Sequence, residues 1–167
     1  ALAFYLRGDY SHAAREYQRC LAMGTQPKPA VLKGLPLNWR NCYSLDDDAR
    51  VAITVWTWSA LRRSGKPADA AALLAGISEA MQVRENRSYF RTLLLYKGLR
   101  TETQTMSAAD SVATTGYAIG LWHWVEGRKE QACAYWERVL TDPNWAAFGF
   151  IAAEGELARG ACRAGKK

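Results

Sequence analysis

The chain has 167 residues, of which 49% are hydrophobic and 11% aromatic, and 22 Lys and Arg stand against 16 Asp and Glu. This composition excludes a disordered chain and predicts one packed domain over residues 1–167. Charged residues interrupt every apolar stretch before the roughly 18 residues that span a bilayer. We therefore expect a soluble protein, either cytoplasmic or periplasmic. Because Ala1 lies inside a predicted helix, we also expect a fragment or a processed product.

The first long helix is predicted over residues 9–23. Side chains on its apolar face recur at spacings of three and four residues: Tyr10, Ala13, Tyr17 and Cys20. Prolines and glycines then interrupt residues 25–45, which leaves room for at most a short helix over residues 30–33. A connection of this length inside a domain is often functional.

Three successive aspartates, Asp46 to Asp48, precede the next helical region. Carboxylates in this place cap exposed amides and complement the positive end of the helix dipole, so they indicate a helix start and not a metal site. The helix runs to Arg63 and is apolar nearly all round, which predicts neighbours on several sides. Its mate begins at Pro67, a favoured first-turn residue, and extends to about Met81.

Four further helices are predicted in the second half of the chain. The first opens at residues 86–88 and ends near Gly98, which is predicted to cap its C-terminus. Ser107 begins a capping-box sequence that opens a helix to about Val125. The last two helices cover residues 129–140 and 145–159, and small side chains in the final one permit close approach. No segment has a sustained period of two residues, so the fold class is predicted to be all-α.

One short pattern recurs along the chain. Gly8 and Gly127 are each followed by an aromatic or long residue and then by an alanine that opens a helical stripe, and Gly65 begins a weaker third copy. Repeats of this kind bury their apolar faces only against one another, so the pattern predicts a helical-repeat protein.

The chain resembles the tetratricopeptide repeat proteins, whose unit is an antiparallel helix pair of about 34 residues. The residues that carry the resemblance in its best copy are Gly120, Gly127, Ala132, Trp136, Val139 and Pro143. The resemblance implies an irregular right-handed α-solenoid of antiparallel helix pairs. Its units cover residues 1–24, 46–82 and 107–143, with a final helix over 145–159 and two segments outside the repeat, 25–45 and 83–106.

The resemblance also implies a binding site, because ligands of this family lie along a concave surface made by the first helix of each pair. The matching positions here are Val55, Ser59, Arg62, Arg63, Tyr117, Leu121 and Trp124. Members that grip a C-terminal carboxylate carry a lysine and an asparagine where this chain has Val55 and Ser59, so that subtype is not expected. A protein or peptide with apolar residues and an acid facing Arg62 or Arg63 suits this lining better.

Three other functions remain open at this point. An exposed end helix could dock on a second copy and make the chain a self-association module. A basic stripe that includes Arg84, Arg87 and Arg91 could bind nucleic acid. An enzyme would need residues that meet across the irregular segments, because no nucleophile, base and orienting group lie together in the sequence. We therefore predict a non-catalytic scaffold.

The cysteines and histidines do not match a metal site. The four cysteines lack a CxxC pair and only two histidines are present, so we expect neither a metal nor another cofactor. Cys20 and Cys133 are predicted to be buried thiols; disulfides would require an oxidising compartment, and three pairings would then be possible. In the sequence Trp122-His123-Trp124, we expect Trp122 in the core of a packed helix.

Overall fold

The computed structural model describes residues 1–29, 34, 37–109 and 111–162, and in these ranges it contains ten α-helices and no β-strand. The predicted all-α class is therefore confirmed. The chain divides into two compact units, residues 1–86 and 87–167, where the sequence predicted a single domain. The short helix predicted over residues 30–33 lies outside the described residues. Within the described ranges, no helix has the length and apolar character needed to cross a membrane.

The N-terminal unit is built from two helix hairpins and a short extra helix. Its helices are α1 (Leu2–Leu6), α2 (Tyr10–Met23), α3 (Leu37–Cys42), α4 (Asp47–Arg63) and α5 (Pro67–Leu73), followed by a 3-10 turn (Leu74–Gly76). The second helix packs against α1, α3 and α4, and α4 packs against α5. The helix predicted from Pro67 to Met81 is therefore shorter than expected. It ends at Leu73, the 3-10 turn ends at Gly76, a poor helix former, and the chain then turns back toward α4.

Glycine turns define the hairpins, as the sequence predicted. Gly8, Gly65 and Gly127 have φ values of 87°, 75° and 80°, in the left-handed region where a side chain is strained. In each turn the amide of the next residue donates to the carbonyl five positions before it: Asp9 to Phe4, Lys66 to Leu61 and Arg128 to His123, each at 2.9 Å. This arrangement is a Schellman cap, which satisfies carbonyls at the end of one helix and reverses the chain into the next.

Aromatic and aliphatic side chains fill the core of the N-terminal unit. Tyr5 is fully buried, and its ring lies 5.1 Å from the rings of both Tyr10 and Trp56. Every residue from Thr54 to Leu61 is buried, so neighbours cover this part of α4 on most sides, as its continuous apolar sequence indicated.

The three aspartates at the start of α4 have separate roles. Asp46 caps the helix by accepting a hydrogen bond from the amide of Ala49 at 2.8 Å, as predicted. The carboxylate of Asp48 accepts from the amides of three consecutive loop residues at 2.8 to 2.9 Å: Arg84, Glu85 and Asn86. These bonds fasten the end of the unit to the first turn of α4, and they lower the pKa of Asp48 because they stabilise its charged form.

The C-terminal unit surrounds one central helix. Its helices are α6 (Arg87–Tyr96), α7 (Glu102–Ser107), α8 (Val112–Val125), α9 (Lys129–Val139) and α10 (Phe148–Ala158). The central helix α8 contacts each of the other four. It approaches α9 closely at Gly120, where a Cβ atom would lie 2.5 Å from Nε1 of Trp136. The small residue that the repeat pattern requires here is thus explained by packing.

Two helix starts in this unit differ from the prediction. The capping box lies at Thr101 and Gln104, whose side chains and amides bond reciprocally at 2.9 and 3.2 Å, and it opens α7. The helix α8 begins at Val112 with Ser111 as its N-cap, not at Ser107. Since a capping sequence acts locally, several Ser and Thr residues compete for the role, and tertiary packing selects among them. The final helix α10 also begins later than predicted, at Phe148.

All four cysteines are paired, which corrects the prediction of buried thiols at Cys20 and Cys133. Cys20 joins Cys42, with 5.0 Å between their Cα atoms, and Cys133 joins Cys162, with 5.6 Å between theirs. Both separations lie within the usual range for disulfides. The first bond fastens α3 to α2, and the second fastens the residues after α10 to α9. Each disulfide therefore attaches a segment outside the helix pairs to a helix of a pair.

Candidate functional site

Four of the seven predicted groove residues lie in the interior. Val55, Ser59, Tyr117 and Leu121 are at most 3% exposed, and the hydroxyl of Ser59 donates to the carbonyl of Val55 at 2.8 Å. They belong to α4 and α8, the two helices that neighbours cover most completely. The expected open face is therefore absent at these four positions, and their side chains act as packing residues.

The other three predicted residues are partly exposed and already make contacts within the chain. Arg63 donates from Nη2 to the hydroxyl of Tyr10 at 2.7 Å, and its guanidinium lies over that ring. Arg62 lies 5.2 Å from the ring centre of Trp58. In the C-terminal unit, the ring of Trp124 lies 5.4 Å from that of Trp136. A partner that binds these three side chains would therefore also contact the groups that they already touch within the chain.

An exposed apolar surface lies at the start of α10. Trp145 is 72% exposed, Phe148 is 53% exposed and Ile151 is 36% exposed. Phe148 and Ile151 are one turn apart on α10, and Trp145 lies in the hydrogen-bonded turn before the helix. We call these three residues the α10 surface. These residues were predicted to lie in a final helix over 145–159 whose small side chains permit close approach. The spacing of three residues between Phe148 and Ile151 was the available signal that these two share one side of that helix.

A polar network in the C-terminal unit is a second feature that the sequence analysis missed. Its members are Glu102 on α7, His123 on α8, Arg128 in the glycine turn and Tyr135 on α9. Oε2 of Glu102 lies 2.8 Å from Nε2 of His123, and Nε of Arg128 donates to Nδ1 of His123 at 2.7 Å. The hydroxyl of Tyr135 donates to Oε1 of Glu102 at 2.5 Å. Because arginine only donates, Nδ1 is the acceptor and Nε2 carries the proton directed at Glu102.

The network lies partly in the interior of the C-terminal unit. The side chain of His123 is buried, whereas Trp122, expected in the core, is only partly buried and lies 4.4 Å from the Arg128 guanidinium. Burial and the charge of Glu102 raise the pKa of Tyr135 above its ordinary value. Each of the four side chains hydrogen-bonds another member of the network, so the arrangement ties α7 to the α8–α9 hairpin. The network was not predictable from the repeat pattern, because Glu102 lies in a segment that matches no repeat.

The N-terminal unit contains two cavities of ligand size. One, of about 430 Å³, lies beside the Cys20–Cys42 bond and is mostly apolar, with Tyr17, Met23 and Ile53 in its wall. The other, of about 490 Å³, we call the Arg50 cleft. Its lining residues are Leu21, Ala22, Thr25, Asp47, Arg50, Thr54, Leu73, Gly76, Ile77 and Met81.

The described residues contain no metal-binding cluster, and no known relative indicates a function for these features. Among the described residues, no group of three or more His, Cys, Asp and Glu side chains is arranged to hold a metal ion. Comparison with protein-family models, curated proteins and solved structures gave no match. The resemblance to the tetratricopeptide repeats therefore stays a prediction from the sequence.

Proposed function

We propose that this chain is a non-catalytic scaffold that binds a protein or peptide, with the α10 surface as its principal contact. The observation that carries the proposal is the exposure of Trp145 and Phe148 at 72% and 53%. Large apolar side chains that stay exposed close together mark interaction sites in soluble proteins, and aromatic residues supply most of the energy at such sites.

The small area of the α10 surface limits the binding free energy that it provides by itself. Taking about 200 Å² for a full aromatic side chain, these exposed fractions correspond to roughly 250 Å² that a partner covers. At about 25 cal/mol per Å² this is about 6 kcal/mol before the costs of association. The α10 surface thus suits an anchoring role, and a partner gains affinity from additional polar contacts around it.

The arrangement of helices supports a repeat scaffold of the tetratricopeptide kind, which we include in the proposal. Three hairpins share the same glycine turn, and α2 packs against both its own mate α1 and the next hairpin's α4. Stacking of successive pairs in this way is how helical repeats bury their apolar faces. The polar network of Glu102 and His123 supports the same role, because it makes the C-terminal unit rigid and lowers the ordering cost of binding.

We further infer that the protein folds in an oxidising compartment. All four cysteines are joined in two disulfides, and such bonds persist in secreted and periplasmic proteins but are rare in the reducing cytosol. Titration of free thiols in protein isolated from its native source, under denaturing conditions without reductant, tests the inference. The expected result is no free thiol; four reactive thiols would contradict it.

Photo-crosslinking tests the binding proposal at the α10 surface. A benzoylphenylalanine at position 148, introduced in the source cell, is expected to form a discrete adduct with the partner. The matched control places the same group at Leu99, which is 51% exposed in the same unit and lies between α6 and α7, outside the α10 surface. Identical adducts at both positions, or none at position 148, would refute the assignment of this surface.

Substitutions provide a second measurement on the captured partner. Trp145→Ala combined with Phe148→Ala is expected to weaken binding at least tenfold, because two large side chains leave the contact. Leu99→Ala serves as the control and is expected to bind as the wild type does. Equal affinity of all three proteins would place the interface elsewhere.

A further inference from the structure

The Arg50 cleft combines charge, a hydroxyl and apolar walls within the N-terminal unit. Arg50 and Thr54 lie four residues apart on α4, so both project from one side of the helix. Both line the cleft of about 490 Å³, a volume in the usual range for small-molecule sites. From this geometry we infer that the cleft binds a carboxylate carried on an apolar body. The inference does not depend on the α10 surface, which belongs to the other unit.

The charge of Arg50 favours an anionic ligand. In the described part of the chain, no side chain forms an ion pair or hydrogen bond with the Arg50 guanidinium, which is half-buried. The nearest acids in sequence are already engaged: Asp47 accepts from the amide of Gln82 at 2.8 Å, and Asp48 accepts from three loop amides. A guanidinium beside apolar walls pairs strongly with a carboxylate, because two parallel hydrogen bonds match its planar shape.

The wall of the cleft also contains a hydroxyl group, that of Thr54. Thr54 is only 3% exposed and lines the cleft. One turn away, Thr57 donates from Oγ1 to the carbonyl of Ile53 at 2.7 Å, and Ser59 makes the equivalent bond to Val55. For Thr54 no hydrogen bond of this kind joins the hydroxyl to any described residue. The hydroxyl of Thr54 is therefore available to hydrogen-bond a ligand oxygen held beside Arg50.

The walls define the rest of the ligand. Leu21 on α2, Leu73 on α5, and Ile77 and Met81 beyond the 3-10 turn supply apolar surface to the cleft. A carboxylate held at Arg50 would therefore carry a hydrocarbon chain or an apolar amino-acid side chain. Two sources present this chemistry, a free aliphatic acid and the C-terminal residue of a peptide, and the experiment separates them.

Binding is measured by calorimetry and by chemical shifts on the full chain, with two carboxylate probes. Octanoate represents the free acid, with methyl octanoate as its uncharged match; N-acetyl-leucyl-leucine represents the peptide, with its amide as the match. At least one carboxylate is expected to bind saturably and at least tenfold tighter than its uncharged match. Octanoate alone would indicate a free acid, and the dipeptide alone a peptide end. Failure of both carboxylates to bind, or equal binding of the uncharged matches, overturns the inference.

Variants locate the binding in the cleft. Arg50→Gln is expected to reduce carboxylate affinity at least tenfold while leaving the uncharged probe unchanged, and Arg50→Lys to fall between the two. The control Arg15→Gln removes an equal charge from an exposed position of α2 and is expected to bind as the wild type does. Equal losses in Arg50→Gln and Arg15→Gln would overturn the inference, since they would show a general charge effect. Adduct formation at position 148 reports the proposed function separately.

Discussion

Removing the Cys133–Cys162 disulfide should destabilise the protein by an amount that follows from the length of the loop it closes. The two cysteines are 29 residues apart. In the chain-entropy model, a loop of this length removes about 12 cal/mol/K from the unfolded state, which is about 3.6 kcal/mol at 25 °C. For a protein of this size, that loss lowers the melting temperature by roughly 10 °C.

The assay is thermal and urea unfolding of the double variant Cys133→Ala, Cys162→Ala against the wild type. The pair Cys20 and Cys42 provides a matched comparison, because its separation of 22 residues predicts about 3.4 kcal/mol by the same relation. Both double variants are therefore expected to lose nearly equal stability. Reductant should lower the melting temperature of the wild type by breaking both disulfides, and that of each double variant only by breaking the one disulfide that it keeps.

Two results would refute the expected contribution of the disulfide. A loss below about 1 kcal/mol in the variant lacking Cys133 and Cys162 would show that the bond does not restrict the unfolded chain as the loop length requires. A difference of several kcal/mol between the two double variants would refute it as well, since loop length alone predicts near equality.

Three further predictions concern single residues. Gly120→Ala should destabilise by about 1 to 3 kcal/mol in urea unfolding, because its Cβ would lie 2.5 Å from Nε1 of Trp136; Gly76→Ala, with open space around its Cβ, is the control, and an equal effect would contradict the packing explanation. Asp48 has a pKa lowered by three loop amides, so it stabilises the fold above its unfolded pKa and this contribution disappears as the pH falls through the lower folded value. Melting temperature below about pH 4 should therefore decline less steeply in Asp48→Asn than in the wild type, and parallel curves would count against the role. Burial and the nearby acid raise the pKa of Tyr135, so Tyr135→Phe should leave unchanged the tyrosine absorbance change near pH 10; a reduced amplitude would show that Tyr135 ionises normally.

Several elements were predictable because their signals are local. The turn glycines at positions 8, 65 and 127 all adopt the left-handed conformation that their place between two helical stripes required. Asp46 caps α4 as its position before an apolar run indicated. The helix α9 has the bounds Lys129–Val139, close to the predicted 129–140, because its two faces alternate cleanly between apolar and polar residues.

The candidate sites were less predictable, since each depends on residues far apart in sequence. The groove prediction took positions from a resemblance, but the neighbours around α4 and α8 bury four of its seven residues. Glu102 and His123 are 21 residues apart and meet only because α7 packs against α8. The Arg50 cleft likewise joins α2, α4 and the end of α5, and only the path of the chain after Gly76 places Met81 in its wall.

The sequence by itself determines that this protein is helical and that glycine turns join its paired helices, because periodicity and capping act within a few residues. The tertiary structure decided which cysteines pair, which side of each helix is covered, and which polar groups meet. These outcomes depend on packing between helices, and the same apolar stripe is compatible with several neighbours until the whole set is assembled.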